Sequence, residues 1–229
     1  MIMSCTKWFL FLICFVWISS LKAQDNLTAF WQPQAAVNYK VSNTYSHNFS
    51  LAHRAYLIKN GGFGYDARQI DIVHFSKFNL TDNQSLAFGV QYRFRNIFED
   101  KGDEVRLTQQ FNFTKRPLVV RFGHRFRTEQ RITKALTIHR FRYRFAVDFP
   151  LKGEKLNIGE PYFVGGFENL LSVAKGNLPQ YDTRVSSQLG WRVQDGLKIQ
   201  AGIEYRVEDY TSTFPQNIFF LLTSVQLIL

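Results

Sequence analysis

From Leu27 onward, apolar and polar side chains alternate in segments of roughly 10–15 residues, a length that suits strands crossing a thick layer. Leu86, Phe88, Val90, Tyr92 and Phe94 share one face, with Ala87, Gly89, Gln91, Arg93 and Arg95 on the other. Thr137, His139, Phe141, Tyr143, Phe145, Val147 and Phe149 oppose Ile138, Arg140, Arg142, Arg144, Ala146 and Asp148. Leu197, Ile199, Ala201, Ile203, Tyr205 and Val207 oppose Lys198, Gln200, Gly202, Glu204, Arg206 and Glu208. A strand throws successive side chains to opposite faces, so this period of two predicts strands with one apolar and one polar side.

Turn-forming residues separate the segments. The breaks fall at Lys40–Thr44, Lys59–Asp66, Thr81–Gln84, Glu99–Asp103, Arg116-Pro117, Thr133–Ala135, Lys152–Glu160, Ser172–Tyr181, Gln194–Gly196 and Thr211–Gln216. Gly, Asn, Asp and Pro there supply the dihedrals that turns require. Eleven strand-like segments result. Single-chain bacterial barrels carry an even number of strands, so ten or twelve are expected. The first segment, Leu27–Tyr39, holds Pro33 and is a candidate partial strand. The connections near Lys59–Asp66, Ser172–Tyr181 and Thr211–Gln216 are expected to be the longer ones and to face outside, with short turns on the periplasmic side.

The segments are about twice the ~5–6 residues usual in soluble sheets, which favours a membrane barrel over a soluble exported β-barrel that binds a ligand. The N-terminus points the same way. MIMSCTKWFLFLICFVWISSLKAQ has one early charge, Lys7, an apolar stretch from Trp8 to Leu21, and a small residue, Ala23, before Gln24. That is the layout of a signal peptide over residues 1–23, and its apolar run is shorter than the ~20 residues a spanning helix needs. Residues 24–229 then form one barrel. Cleavage removes Cys5 and Cys14, so the mature chain carries neither a disulfide nor a thiolate metal site. It also removes Lys7 and Lys22, and the net charge falls from +10 to +8. A basic exported chain suits anionic lipid or acidic solutes, and export argues against nucleic acid as a partner. Trp31, Tyr39, Tyr45, Tyr56, Trp191 and Tyr210 lie near segment ends, as an interfacial girdle requires.

Trp31 in the first segment, RFGHRFRTEQR at 121–131, HRFRYRF at 139–145 and PYFVGGFENLL at 161–171 carry a family resemblance. Along nearly the whole mature chain, the sequence resembles the small outer-membrane proteins grouped as domain of unknown function 2490. The resemblance implies an all-β transmembrane barrel of about 10–12 antiparallel up-and-down strands in the outer membrane of a Gram-negative bacterium. It implies no activity and no catalytic residue.

If the apolar face meets lipid and lipopolysaccharide, the other face lines the lumen. Parity places Arg54, Lys77, Arg93, Arg95, Arg106, Arg121, Arg125, Arg127, Arg131, Arg140, Arg142, Arg144, Arg184, Arg192, Lys198 and Arg206 inside. The acids on that side are fewer: Asp71, Glu104, Glu129, Asp148, Glu168, Asp182, Glu204 and Glu208. Closing the central hairpin around Thr133–Ala135 is expected to bring Arg127 near Arg140 and Arg125 near Arg142, and a tight turn at Arg116-Pro117 to bring Arg106 near Arg127. Like charges opposite one another destabilise a sheet. Arg–Glu networks that only hold the wall together would relieve them, and so would small anionic solutes in a narrow channel. Arginine's planar fork suits carboxylate or phosphate.

An enzyme needs a nucleophile and a base. All five histidines (His47, His53, His74, His124, His139) fall on the apolar parity. His74-Phe75-Ser76 has the His-x-Ser spacing of some outer-membrane lipid hydrolases, but its one outward polar neighbour, Asn96, lies roughly 17 Å along the strand from the position facing His74 (about residue 91), at ~3.4 Å per residue. Gly61-Gly62 and Gly165-Gly166 read as a turn and a thin wall position. No cofactor, metal site or catalytic residue is expected.

Overall fold

The computed structural model describes residues 27–229; the signal-peptide reading of residues 1–23 lies outside the described residues. Eleven strands follow one another without an intervening helix: β1 Thr28–Lys40, β2 Tyr45–Lys59, β3 Gly62–Asn79, β4 Gln84–Phe94, β5 Glu104–Lys115, β6 Arg121–Ile132, β7 Thr137–Pro150, β8 Pro161–Ala174, β9 Gln180–Gln194, β10 Leu197–Glu208 and β11 Gln216–Ile228. Each pairs with its sequence neighbours, and β1 pairs with β11 to close the sheet. Closure satisfies the backbone of both end strands and leaves no edge.

The strand number departs from the even expectation. All eleven segments become strands, including the first. In a meander the first and last of an odd set run in the same direction, so the β1–β11 seam is parallel, from Thr28↔Ile218 to Asn38↔Ile228. Every other pair is antiparallel. Pro33 does not shorten β1, because the ladder to β2 passes from Trp31↔Ala55 to Gln34↔Ala52 and skips Gln32 and Pro33, where a proline has no N–H to offer.

Lys59–Asp66 is the tip of a long hairpin rather than an extended connection. Only Asn60 and Gly61 lie between the two strands, with φ of 52° and 77°, the paired positive values of a tight I′-type hairpin turn. The connections after β2, β8 and β10 share one end of the barrel, as alternation requires, and this is called the first rim. The second rim carries the longest connection, residues 151–160, so length does not sort the two ends as expected. That connection folds back onto β9, with Arg192 Nη1 donating to Leu156 O at 3.0 Å and Gly159 N to Arg192 O at 2.6 Å.

The two faces follow the sequence parity. Phe49, Leu51, Ile72, Phe88, Val90, Val185 and Ile203 stand on the outside, each about half exposed. The inner face is mostly polar, and its buried apolar cluster lies beside the seam, where Phe30, Tyr56, Ile218 and Phe220 are buried and Leu222 packs against them. The Phe30 ring lies 4.7 Å from Tyr56 and 5.1 Å from Phe220. Arg206 lies over Phe220 at 3.7 Å and Arg68 over Phe30 at 4.8 Å, so the aromatic patch also supports guanidinium groups. Phe220→Ala is expected to lower barrel stability by about 3 kcal/mol, whereas Val225→Ala on the outer face costs under about 1 kcal/mol. Urea unfolding of the barrel, followed by tryptophan fluorescence, measures both.

Candidate functional site: the charged inner wall

Antiparallel pairing sets residues of equal parity side by side, so the arginines of neighbouring strands meet in rows across the inner wall. The rows differ from the expected ones. Arg127 faces Arg142, not Arg140, and Arg125 faces Arg144, not Arg142. Arg106 faces Arg131, not Arg127. The cause lies in the turns. The β6–β7 turn is centred one residue later, with Ile132 paired to Thr137, and the β5–β6 connection spans residues 116–120 instead of a tight Arg116-Pro117 turn. A turn whose centre moves by one residue shifts every cross-strand partner by two.

With that register, carboxylates fall between arginines. Glu129 accepts from Arg142 Nη1 at 2.5 Å, and the other end of the same guanidinium reaches Glu168 at 2.6 Å. Glu168 meets Arg184 at 3.4 Å, Arg184 meets Asp182 at 3.8 Å, and Asp182 meets Arg140 at 3.4 Å. Arg140 returns to Glu129 at 4.0 Å, which closes a ring of three acids and three arginines over β6, β7, β8 and β9. Arg127 attaches to Glu129 at 3.3 Å and to Gln110 Oε1 through Nε at 2.9 Å.

A second cluster gathers on Glu104. Arg131 reaches it at 2.6 Å, Arg95 at 3.7 Å and Arg93 at 3.9 Å, and Arg106 also bonds it. Arg93 additionally forms a two-point pair with Asp71, at 2.6 and 2.7 Å, and Gln69 donates to the same carboxylate. The Glu104 and Glu129 side chains are 1% and 2% exposed, so these carboxylates sit behind the guanidinium groups. Glu204 pairs with Arg206 at 2.5 Å, and Asp148 with Arg121 at 2.8 Å near the second rim. Glu208 borders the lumen without joining an ion pair among the described residues. The Nε atoms of Arg140, Arg142 and Arg184 are buried without a hydrogen-bond partner.

Parity therefore located every residue of the expected basic cluster on the inner wall: Arg93, Arg95, Arg106, Arg121, Arg125, Arg127, Arg140, Arg142 and Arg144. It missed Arg68. The β2–β3 register shifts between Arg54↔Gln69 and Ala55↔Ala67, so Arg68 is a bulged residue and turns inward against its parity. There it lies 3.6 Å from Glu99. Glu99 sits in the β4–β5 connection; its partial burial would raise the carboxyl pKa, but the Tyr56 hydroxyl donating at 2.7 Å and the charges of Arg68 and Lys101 outweigh this and hold it below the usual range. No sequence signal marks a bulge of this kind without a partner strand to compare.

The histidines keep to the outer parity. His47 Nδ1 and His74 Nε2 are 3.0 Å apart, and His124 Nδ1 lies 2.9 Å from the Tyr143 hydroxyl. Ser76 Oγ accepts from Tyr45 at 3.2 Å, so the His-x-Ser pair is engaged with other partners. His74 faces Val90 across the sheet. Among the described residues no three His, Cys or acidic side chains converge as a metal site would require.

A family model described as a protein of unknown function (DUF2490) matches residues 28–217, which covers ten strands and the start of β11. No curated protein matches the chain. Glu104→Gln is expected to cost about 3 kcal/mol, because it leaves four guanidinium groups without their shared carboxylate. Asp148→Asn, whose partner Arg121 is half exposed, costs under about 1 kcal/mol. Comparing urea midpoints of the two variants checks the difference.

Proposed function

Because the chain belongs to the DUF2490 family, whose description assigns no activity, we propose its function from the barrel itself: an integral outer-membrane protein of a Gram-negative bacterium, exported by a signal peptide at residues 1–23, whose narrow hydrated lumen favours anions. The outer face supports the membrane part of this reading. Exposed Phe, Leu, Ile or Val side chains stand on every strand from β2 to β11, a spread that a soluble monomer rarely leaves open to water. Strands of 11 to 18 residues meet or exceed the ~9–11 that a tilted transmembrane strand needs. Tyr39 and Tyr45 stand at the second rim and Tyr181 and Tyr210 at the first, at the levels where lipid headgroups and lipopolysaccharide would meet an aromatic girdle.

The observation that carries the anion preference is the lumen cavity. Its volume is about 1500 Å³, and it is bordered by residues of both rims, from Asn60 and Phe214 at one to Asn83 and Gln226 at the other. Eighteen basic but only eight acidic residues border it. The most enclosed acids, Glu104 and Glu129, are screened from it by their own arginines. The field along such a wall attracts anions and repels cations. A non-enzymatic role fits as well, since His47, His53, His74 and His139 lie away from the lumen cavity and His124, which borders it, is engaged with the Tyr143 hydroxyl.

The reconstituted barrel in planar bilayers under a potassium chloride gradient is expected to give small conductance steps, with a reversal potential of the sign that marks chloride as the faster ion. Absent channels or a cation-selective reversal potential would refute the reading. Replacing Lys77 and Lys198 together with glutamate is expected to cut the anion preference severalfold, as both ammonium groups face the cavity.

A further inference from the structure

Not every inner arginine is neutralised by the network. Arg125 and Arg144 face each other directly across β6 and β7, and neither forms an ion pair among the described residues. Arg125 spends only its Nε, on the Asn112 amide oxygen at 3.2 Å. The nearest acid in the register, Glu168 opposite Arg144, is already committed to Arg142 and Arg184. Two unshared guanidinium groups in one cross-strand pair would repel each other in an empty lumen.

The wall beside this pair is cut back. The next row toward the second rim reads Gly123, Ala146, Gly166 and Ser186 across four strands. A methyl group at Gly166 would stand 2.6 Å from Ser186 Oγ and 3.0 Å from Arg144 Nη2, so the bare glycine leaves the space into which the Arg144 guanidinium and the serine hydroxyl both reach. Beyond that row the Arg121–Asp148 pair closes the recess. The result is a shallow polar niche with two free forks on one side and a hydroxyl on its floor.

We propose that Arg125 and Arg144 bind a phosphate dianion carried by a small water-soluble solute. A carboxylate has two oxygens and satisfies one fork, whereas a phosphate has enough acceptors and charge to engage both forks and Ser186 together. The lumen position excludes lipid-borne phosphate, which would meet the outer face. This deepens the anion-favouring reading above and rests on it for access to the site, but the binding itself does not depend on ion passage.

The test uses the mature barrel folded in detergent, titrated calorimetrically with inorganic phosphate in a chloride background. Saturable binding to a single site is expected. Arg125→Gln and Arg144→Gln should each weaken it at least tenfold, while the charge-matched Lys152→Gln in the 151–160 connection leaves it within twofold. Gly166→Ala, which keeps the charge but displaces Arg144, should weaken it as well. Circular dichroism and heat-modified gel mobility confirm that each variant folds. Absent saturable binding by the folded wild type, or equal affinity in Arg144→Gln, would overturn the proposal. A barrel that binds phosphate but passes no current refutes the channel and keeps the site; an anion-selective barrel that binds no phosphate refutes the site alone.

Discussion

A guanidinium group inside a closed sheet must find a partner, and the chain carries too few carboxylates on that face to give each arginine its own. Sharing is the solution that the inner wall adopts. Arg142 spans Glu129 and Glu168, Arg184 spans Glu168 and Asp182, and Arg140 spans Asp182 and Glu129, so three acids hold three arginines in one ring. Glu104 is shared by four more. Such networks cost desolvation and return it only when the geometry is complete, which makes the strand register that aligns them a condition for the whole barrel.

That register also sorts the arginines into two kinds. Those that engage a carboxylate are spent on the wall. Arg125 and Arg144, whose row holds only Glu168, an acid already taken by Arg142 and Arg184, keep their donors for the lumen. The same sheet therefore provides rigidity in one band and affinity for anions in the next. The aromatic cluster at the parallel seam adds a third device, in which Phe30 and Phe220 brace Arg54, Arg68 and Arg206 where no acid is shared among all three.

The odd strand number and the seam belong together. An odd meander can close only in parallel, and parallel pairing places the start of β1 and the end of β11 at opposite rims. The general rule of even strand number pointed to ten or twelve, although the segments themselves counted eleven. The local signals were the better guide, because turn residues and alternation report each strand directly, while the rule concerns how the ends meet.

Alternation along single strands was enough to determine that the chain is all-β, which side chains face in, and that basic residues dominate the polar face, while strand length and the family resemblance pointed to a barrel; Arg93, Arg106, Arg127 and Arg142 were all legible on that basis. A period of two is a property of one strand and needs no partner to be read. Who faces whom was decided only by the tertiary structure. A turn centred one residue later exchanged Arg140 for Arg142 opposite Arg127, and one bulge brought Arg68 inside. Pairing depends on the turn conformation at the end of each hairpin, and small changes there displace every partner along it. Which arginines are neutralised and which remain free is therefore a fact of register, and it appears only when the sheet is closed.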